Sequence, residues 1–347
     1  MSNGAARPPR STVTINDVAQ LAGVSKATVS LILSGRPGPA QRTRERVTEV
    51  AQRLGWHPSP QARGLSMSRT SAIGLVMARD PEVFALDPFF SRFVAGVEVA
   101  LRSRDYALVL RITGEAPGEE EGTYRFMAHH RADGVLLTDL RLHDERFALL
   151  AELGLPAVAV GSPIGACPLP AIGPDDDADV HKAVRHLAAL GHRRVAHVGG
   201  PRQYVHSHHR ARVFDRAARA HGLTTYRRAR GDFTADSGRR ATVRLLKLAE
   251  PPTAIVYDND LMAAAGLGAA RDAGRRVPED LSIVSLDRSQ LGELAHPPLT
   301  GVVHDVVTWG RCAAEALLCL IDGQRPAPPG LPPSRLEAGR SAGPAPR

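Results

Sequence analysis

Cysteine is scarce: Cys167, Cys312 and Cys319 are the three in 347 residues. Three thiols at these spacings give neither a disulfide framework nor the paired ligands of a zinc site. Cys312 and Cys319, seven apart, suit one face of a helix and core filling. No apolar run approaches the roughly 20 residues that span a bilayer. The opening MSNGAARPPRST lacks the apolar stretch of a secretory signal. A cytoplasmic protein without a membrane partner is therefore expected. Catalytic signatures are missing too. No phosphate-loop lysine motif and no nucleophile elbow occur. GLGAAR at 266–271 resembles a dinucleotide fingerprint, but it lacks the third glycine and falls inside a helical pattern. His206, His208 and His209 cluster without a nearby cysteine or an acid at ligand spacing, and read as a loop entering a helix rather than a metal site. Asp175–Asp177 is too short a ligand ladder for calcium and suits a helix start. The expectation is a protein that is not an enzyme, with no metal and no cofactor.

What the chain does have is a basic head. Residues 1–70 hold ten Lys or Arg against Asp17, Glu45 and Glu49, a charge of +7, and the other 277 residues carry only +1. A basic head on a nearly neutral body fits phosphate binding there and argues against polyanion binding along the whole length. Within it, TINDVAQLAGVSKATVSLILS at 14–34 reads as two short helices joined by a turn. Thr14 and Asp17 form a capping box. Ile15, Val18, Ala19 and Leu21 recur at helical spacing. Gly23 stands where the turn needs positive φ, and Ser25 suits the second N-cap. Val29, Ile32 and Leu33 supply the buried face of the second helix. Lys26, Ala27, Thr28, Ser30 and Leu31 are left outside, as on a helix laid in the major groove. A plain helical hairpin is the alternative. Residues 41–54 read as a third helix with Val47, Val50, Ala51 and Leu54 inward. In the connector that follows, Ser59 and Pro60 suit the start of a helix of barely more than one turn, Gln61 to Leu65, weakened by Gly64 and marginal on its own.

From Ser71 the pattern alternates. Apolar runs at Ile73–Met77, Tyr106–Leu110, Val135–Leu137, Ala157–Val160, Val195–Val198, Ala254–Tyr257 and Ile283–Leu286 are separated by amphipathic stretches such as 89–103, 178–190, 208–221, 236–248 and 260–273. Such alternation implies parallel sheets covered by helices on both faces. About 260 residues of it imply two α/β lobes, with a ligand in the cleft at the carboxyl ends of the strands. The family resemblance carried by the motifs quoted next implies, as the expected fold, an N-terminal all-α helix-turn-helix head plus an α/β two-lobed periplasmic-binding-protein-like effector domain. Its expected divisions are a disordered 1–11, a DNA-binding domain at 12–57, a hinge helix and linker at 58–70, and an effector-binding and dimerisation domain at 71–333. Within that domain, lobe 1 takes about 71–172 and 304–333, and lobe 2 about 173–303. A flexible Pro/Gly/Ala-rich tail at 334–347 completes the chain.

The chain resembles the lactose/galactose repressor (LacI/GalR) family of bacterial transcription regulators. VTINDVAQLAGVSKATVS matches that family's head. TRERV, LGWHPSPQARGL, SAIGLV, DPFF, LGHRRVAHVGG, GDFTADSG, NDLMAAAG, RRVPEDLSIVSLD and PPLTGV follow in the family's order. The resemblance implies a homodimer on a near-palindromic duplex DNA operator. A small-molecule effector, a carbohydrate or related polyhydroxylated metabolite, would control it from the cleft. Lys26, Ala27 and Leu31 match base-reading positions. Leu31 departs from the frequent Arg and is left with a thymine methyl or a core role. Thr14, Thr28, Ser30 and Arg36 match phosphate contacts. Leu65 matches a leucine wedged into the minor groove, with Arg63 supporting it on the backbone. Pro39–Ala40 stands where the third helix usually has a Ser cap.

In the body, Arg210, Asn259 and Asp287 fall at effector-contact positions, Phe233 at a ring that stacks on a sugar face, and Phe89 and Phe90 at the other wall. Alternatives stay open for each. Asn259 can cap the helix after it, Arg210 can pair with Asp287, and Phe89 and Phe90 can be core. Val213, Arg288 and Gly161-Ser162 depart from the family's usual residues. The tail lacks the apolar heptads of a coiled-coil tetramer. The rival from another class is a periplasmic-type sugar-binding module, which has no use for a basic head.

Overall fold

The computed structural model describes residues 13–33, 38–56, 69–79, 81–114, 118–129, 131–327 and 330–346. Arg36, Arg63 and Leu65, the hinge helix, and the disorder expected of 1–11 lie outside them. The chain divides into two units at Ser71.

The first unit is a three-helix head: α1 Ile15–Ala22, α2 Lys26–Leu33 and α3 Gln41–Arg53. Thr14 and Asp17 close the capping box, with Thr14 N and Oγ1 donating to Asp17 Oδ2 at 2.7 and 2.8 Å. Gly23 ends α1 with φ 60°, and a Cβ there would meet nothing, so only backbone conformation requires glycine. Ser25 Oγ accepts the Thr28 N–H at 3.1 Å and caps α2. Val18, Ala19, Ala22, Val29, Ile32, Val47, Val50 and Ala51 form the buried core. Leu21 does not join it. It is 54% exposed, because the stripe of α1 continues through Ala22 instead. α3 starts at Gln41 with Ala40 as an N-cap that offers no side chain.

The second unit holds two parallel sheets. The first runs β2(Ala107–Thr113)–β1(Ala72–Ala78)–β3(Val135–Leu137)–β4(Ala157–Val160)–β5(Ala171–Ile172). The second runs β11(Arg335–Glu337)–β10(Thr300–Val303)–β9(Ser282–Ser285)–β8(Ala254–Tyr257)–β6(Arg194–Gly199)–β7(Thr225–Arg230), with only β11 antiparallel. Each sheet carries an apolar cluster on both faces, as parallel sheets require. α4 Pro81–Leu86 sets Phe84 against the core of the first sheet and Val83 in that of the second, and covering the first are α5 Pro88–Arg102, α6 Glu119–Ala128, α7 Arg146–Glu152 and α13 Val306–Ile321. Covering the second are α8 Asp176–Ala189, α9 Val205–Ala220, α10 Ala235–Leu246, α11 Asp260–Asp272 and α12 Gln290–Leu294. Where α5 crosses α13 the backbones touch: a Cβ on Gly96 would lie 2.0 Å from Val307 O, and one on Gly310 would lie 2.1 Å from Phe93 O.

The chain passes between lobes three times, at 173–175, at 304–305 and again between α13 and β11. The third passage corrects the expectation of a flexible tail at 334–347. Its residues belong to lobe 2: β11 pairs with β10, and buried Ser341 donates to Ile283 O at 2.6 Å while accepting from Thr300 N at 2.8 Å. A composition of Pro, Gly and Ala conceals this, because backbone and one serine supply the bonds. The lobes also touch along one edge of the cleft, where Leu142 N donates to Gln203 O at 3.1 Å and Val205 N to Leu140 O at 2.7 Å.

Candidate functional site

Each sheet places the residues that follow its strands at the mouth of the interlobe cleft. Arg79 follows β1, Thr138 and Asp139 follow β3, and Gly161 and Ser162 follow β4. From lobe 2, Phe233 comes after β7, Asp258 and Asn259 after β8, and Asp287 after β9. Together with Asp87, Phe89, Phe90, Asp176, His206, Arg210 and Trp309 they line a cavity with about 700 Å³ of atom-free space, part of it open to solvent. This is where open α/β sheets bind ligands. All six cleft residues singled out from the sequence meet there.

The structure decides what each is doing. Asn259 caps α11, its Oδ1 accepting from Met262 N at 3.1 Å, and its Nδ2 donates to Phe233 O at 3.2 Å and Asp87 Oδ2 at 3.4 Å. Arg210 does not pair with Asp287. Its Nε donates to Asp176 Oδ1 at 2.7 Å and its Nη1 to Asp258 O at 3.2 Å, because the start of α8 lies over α9. Phe90 is buried in the core of lobe 1, and Phe89 packs edge-on to Trp309 with ring centres 5.3 Å apart. Phe233 sits at φ 69°, uncommon for a residue with a side chain. Its ring lies where a Cβ on Gly200 would be, 2.1 Å from Cζ. Of the departures, Val213 is buried in lobe 2, Arg288 pairs with Glu337 at 2.5 Å, and Ser162 Oγ donates to Pro174 O at 2.6 Å.

Sequence reasoning missed the arginine at the centre of the cavity. Arg79 donates to both oxygens of Asp139, Nε to Oδ2 at 2.7 Å and Nη2 to Oδ1 at 2.5 Å. Its guanidinium carbon stands 4.7 Å from the Phe233 ring centre and 5.2 Å from those of Phe90 and Tyr204. An arginine of lobe 1 is thus held by rings of both lobes. Burial opposes its charge, but Asp139 outweighs that and raises its pKa, and Arg79 in turn holds Asp139 low despite burial. His206 stacks between Tyr204 and Phe233, on the first turn of α9 and not in a loop. Burial, with Arg210 alongside, pushes it down to about 4, so it is neutral at pH 7. Asp258 accepts from Gly200 N at 2.8 Å and pairs with His197 at 2.8 Å. Burial works against its ionised form, yet His197 keeps its pKa low. Burial raises Asp87, and burial together with the Asp87 charge pushes Asp287 up to about 7. Reading the one or two residues after each apolar run was the signal that finds Arg79, Asp139 and Asp258.

In the head, Lys26, Ala27 and Ser30 are exposed on α2, as are Thr14 and Ser25, while Thr28 and Leu31 are half-buried. The Thr28 hydroxyl is bonded to Ser25 Oγ at 2.8 Å. A Cβ on Gly38 would come within 3.1 Å of Leu31 Cδ2, which places that leucine against the turn before α3. No group of three His, Cys, Asp or Glu among the described residues is placed to hold a metal ion, and none of their helices is long and apolar enough to cross a membrane.

A helix-turn-helix head in one chain with a two-lobed, cavity-bearing α/β body defines the class of DNA-binding regulators that carry a small-molecule sensor. Residues 14–59 match the model of bacterial regulatory proteins of the lacI family, and residues 184–342 that of the periplasmic binding protein-like domain. The HTH-type transcriptional regulator CelR of Thermobifida fusca is 35% identical over 323 residues, 91% of this chain and 94% of the relative. The structure of a CelR–cellobiose complex superposes with a TM-score of 0.71 at 33% identity, covering 95% of this chain and 99% of that one. The lac repressor dimer bound to operator and the anti-inducer ONPF gives 0.83 at 26% identity, covering 95% and 98%. The chain belongs to the lacI family and is a DNA-binding transcriptional regulator.

Proposed function

We propose that the chain is a repressor that binds a near-palindromic operator as a homodimer and is released or tightened by a saccharide held between its lobes. The observation that carries this is the cavity itself, whose polar lining comes from the strand ends of both lobes. A ligand touching both lobes favours one lobe arrangement over another, and that difference in affinity is what shifts a population. On the head, Lys26, Ala27 and Leu31 read bases, and Thr14, Ser25, Thr28, Ser30 and Arg36 set register on phosphates. Arg63 and Leu65 complete the grip at the operator centre. Arg210, Asn259, Asp287, Phe89, Phe90 and Phe233 contact the effector. The chain is not an enzyme in this reading, since the relatives it resembles are transcriptional regulators. CelR was solved with cellobiose, and that supports a sugar in the homologous cleft.

The test is selection of genomic duplexes by the full-length protein, followed by titration of the winner with a panel of sugars. One palindromic site should be enriched, and at least one sugar should change its occupancy. Enrichment of no duplex over random DNA overturns the reading of the head. A specific duplex indifferent to every sugar overturns the reading of the cleft.

A further inference from the structure

Asp87, Asp139, Asp176, Asp258 and Asp287 all line the cavity, and basic side chains pair with only three of them. Asp139 has Arg79, Asp176 has Arg210 and Asp258 has His197. Among the described residues, no Lys, Arg or His is at ion-pairing distance from Asp87 or Asp287. Asp87 caps α5 through Phe89 N at 3.0 Å and receives the long bond from Asn259. The Asp287 carboxylate accepts no hydrogen bond among the described residues. The two come from opposite lobes, and the Asp87 charge acts on Asp287. Arg210 and, more weakly, Arg92 act on Asp287 through space, as Arg79 does on Asp87, but none of them is at ion-pairing distance. The buried Thr138 hydroxyl, which also lines the cavity, has no hydrogen-bond partner among the described residues.

Both arginines of the cavity already hold a carboxylate: the fork of Arg79 is on Asp139, and Arg210 is on Asp176. An anionic ligand meets two acids that no protein cation pairs with. A neutral sugar donates hydroxyls to them but supplies no cation. A ligand with an ammonium group supplies the missing cation and three donors in one group. Phe89 and Trp309 stand beside these acids and offer an apolar wall to the rest of such a molecule.

We propose that the effector is a cationic saccharide, an amino sugar whose protonated primary amine sits between Asp87 and Asp287. This rests on the saccharide reading of the cleft given above. Charge-assisted hydrogen bonds are roughly twice as strong as neutral ones, which at one site corresponds to a preference of about tenfold.

Calorimetric titration of the full chain tests it with three matched probes: the β-1,4-linked disaccharide of glucosamine, its N-acetylated form, and cellobiose. The amine should bind about tenfold more tightly than either of the others. Asp287→Asn should bring the ratio of amine to cellobiose affinity close to one, and Asp87→Asn should move it the same way. The ratio is the readout because a merely structural loss lowers both affinities together. Melting curves of the two variants establish that they are folded. Cellobiose binding as tightly as the amine, or an unchanged ratio in both folded variants, overturns the proposal and leaves the saccharide reading intact. Binding of no saccharide by the wild-type chain overturns both.

Discussion

At the residue scale the cleft is a set of charges, each defined by its partner. Asp287 has none among the described residues, and its carboxyl is pushed up to about 7 by burial and by Asp87. In the unfolded chain an aspartate titrates near about 3.9. Between those values the folded protein holds a proton that the unfolded chain has lost, so the folded state loses stability as pH rises across that window. The empty protein should therefore melt at a lower temperature at pH 8 than at pH 5 through this group. Asp287→Asn should remove that slope, raising the melting temperature at pH 8 and changing it little at pH 4. A variant destabilised equally at both values would show that the carboxylate is structural. Family resemblance made Arg210, Asn259 and Asp287 legible as cleft residues, but not their pairings. Which acid meets Arg210 depends on where the first lobe-to-lobe passage lays the start of α8 on α9, and no local pattern encodes that. Arg79 was hidden for another reason. It ends an apolar run, where a charged residue reads as a strand boundary.

At the element scale, legibility follows burial on both faces. β1, β3, β4, β6, β8 and β9 lie inside sheets and show in the sequence as continuous apolar runs. β7, with the sequence TYRRAR, is an edge strand with three exposed residues, so no run announces it. β11 has only three residues, and its partner β10 lies on the other side of α13 in the chain. The crossing of α5 and α13 is a matter of backbone contact, and it was equally invisible. Gly96 and Gly310 leave the helices touching, and any side chain there must meet a carbonyl oxygen rather than a flexible neighbour. Gly96→Ala or Gly310→Ala should force the helices apart at a cost of roughly 2 kcal/mol or more, read as a lower urea midpoint. Gly23→Val is a different case. Space is open there, so the cost is the left-handed backbone alone, about 1–2 kcal/mol. It should fall on the melting of the head and on DNA affinity, with the sugar response of the body unchanged. A Gly23→Val protein that binds its duplex as tightly as the wild type would count against α1–turn–α2 as the reading element.

At the scale of the whole molecule, the third passage between lobes matters most. A cleft joined by two segments opens about those two, but here the residues after α13 add a third. Lys182 Nζ, on α8, donates to Ser334 O at 3.0 Å and to Asp179 Oδ1 at 3.0 Å, which fastens that segment as it enters lobe 2. Beyond it, Ile283 N donates to Ser341 O at 2.7 Å, Gly343 N to Ser282 Oγ at 3.0 Å and Ala345 N to Leu190 O at 2.8 Å. His192, buried, shares Ser282 Oγ at 3.0 Å and the Gly343 carbonyl at 3.1 Å. Ending the chain at residue 333 therefore does more than trim a surplus. It removes one strand of the second sheet, leaves Thr300 N and Ser282 Oγ short of partners in a dry interior, and frees one of three ties across the cleft. Buried groups stripped of partners cost about 1–3 kcal/mol each, and several are stripped together. The shortened protein should lose the melting transition of its body or show it far below that of the full chain, with sugar binding lost in parallel. Ser341→Ala, which removes one hydroxyl that serves both Thr300 and Ile283, should lie between the two. If the chain ending at 333 melts and binds like the full one, the last strand contributes nothing to the sheet, and the sensor has only two ties.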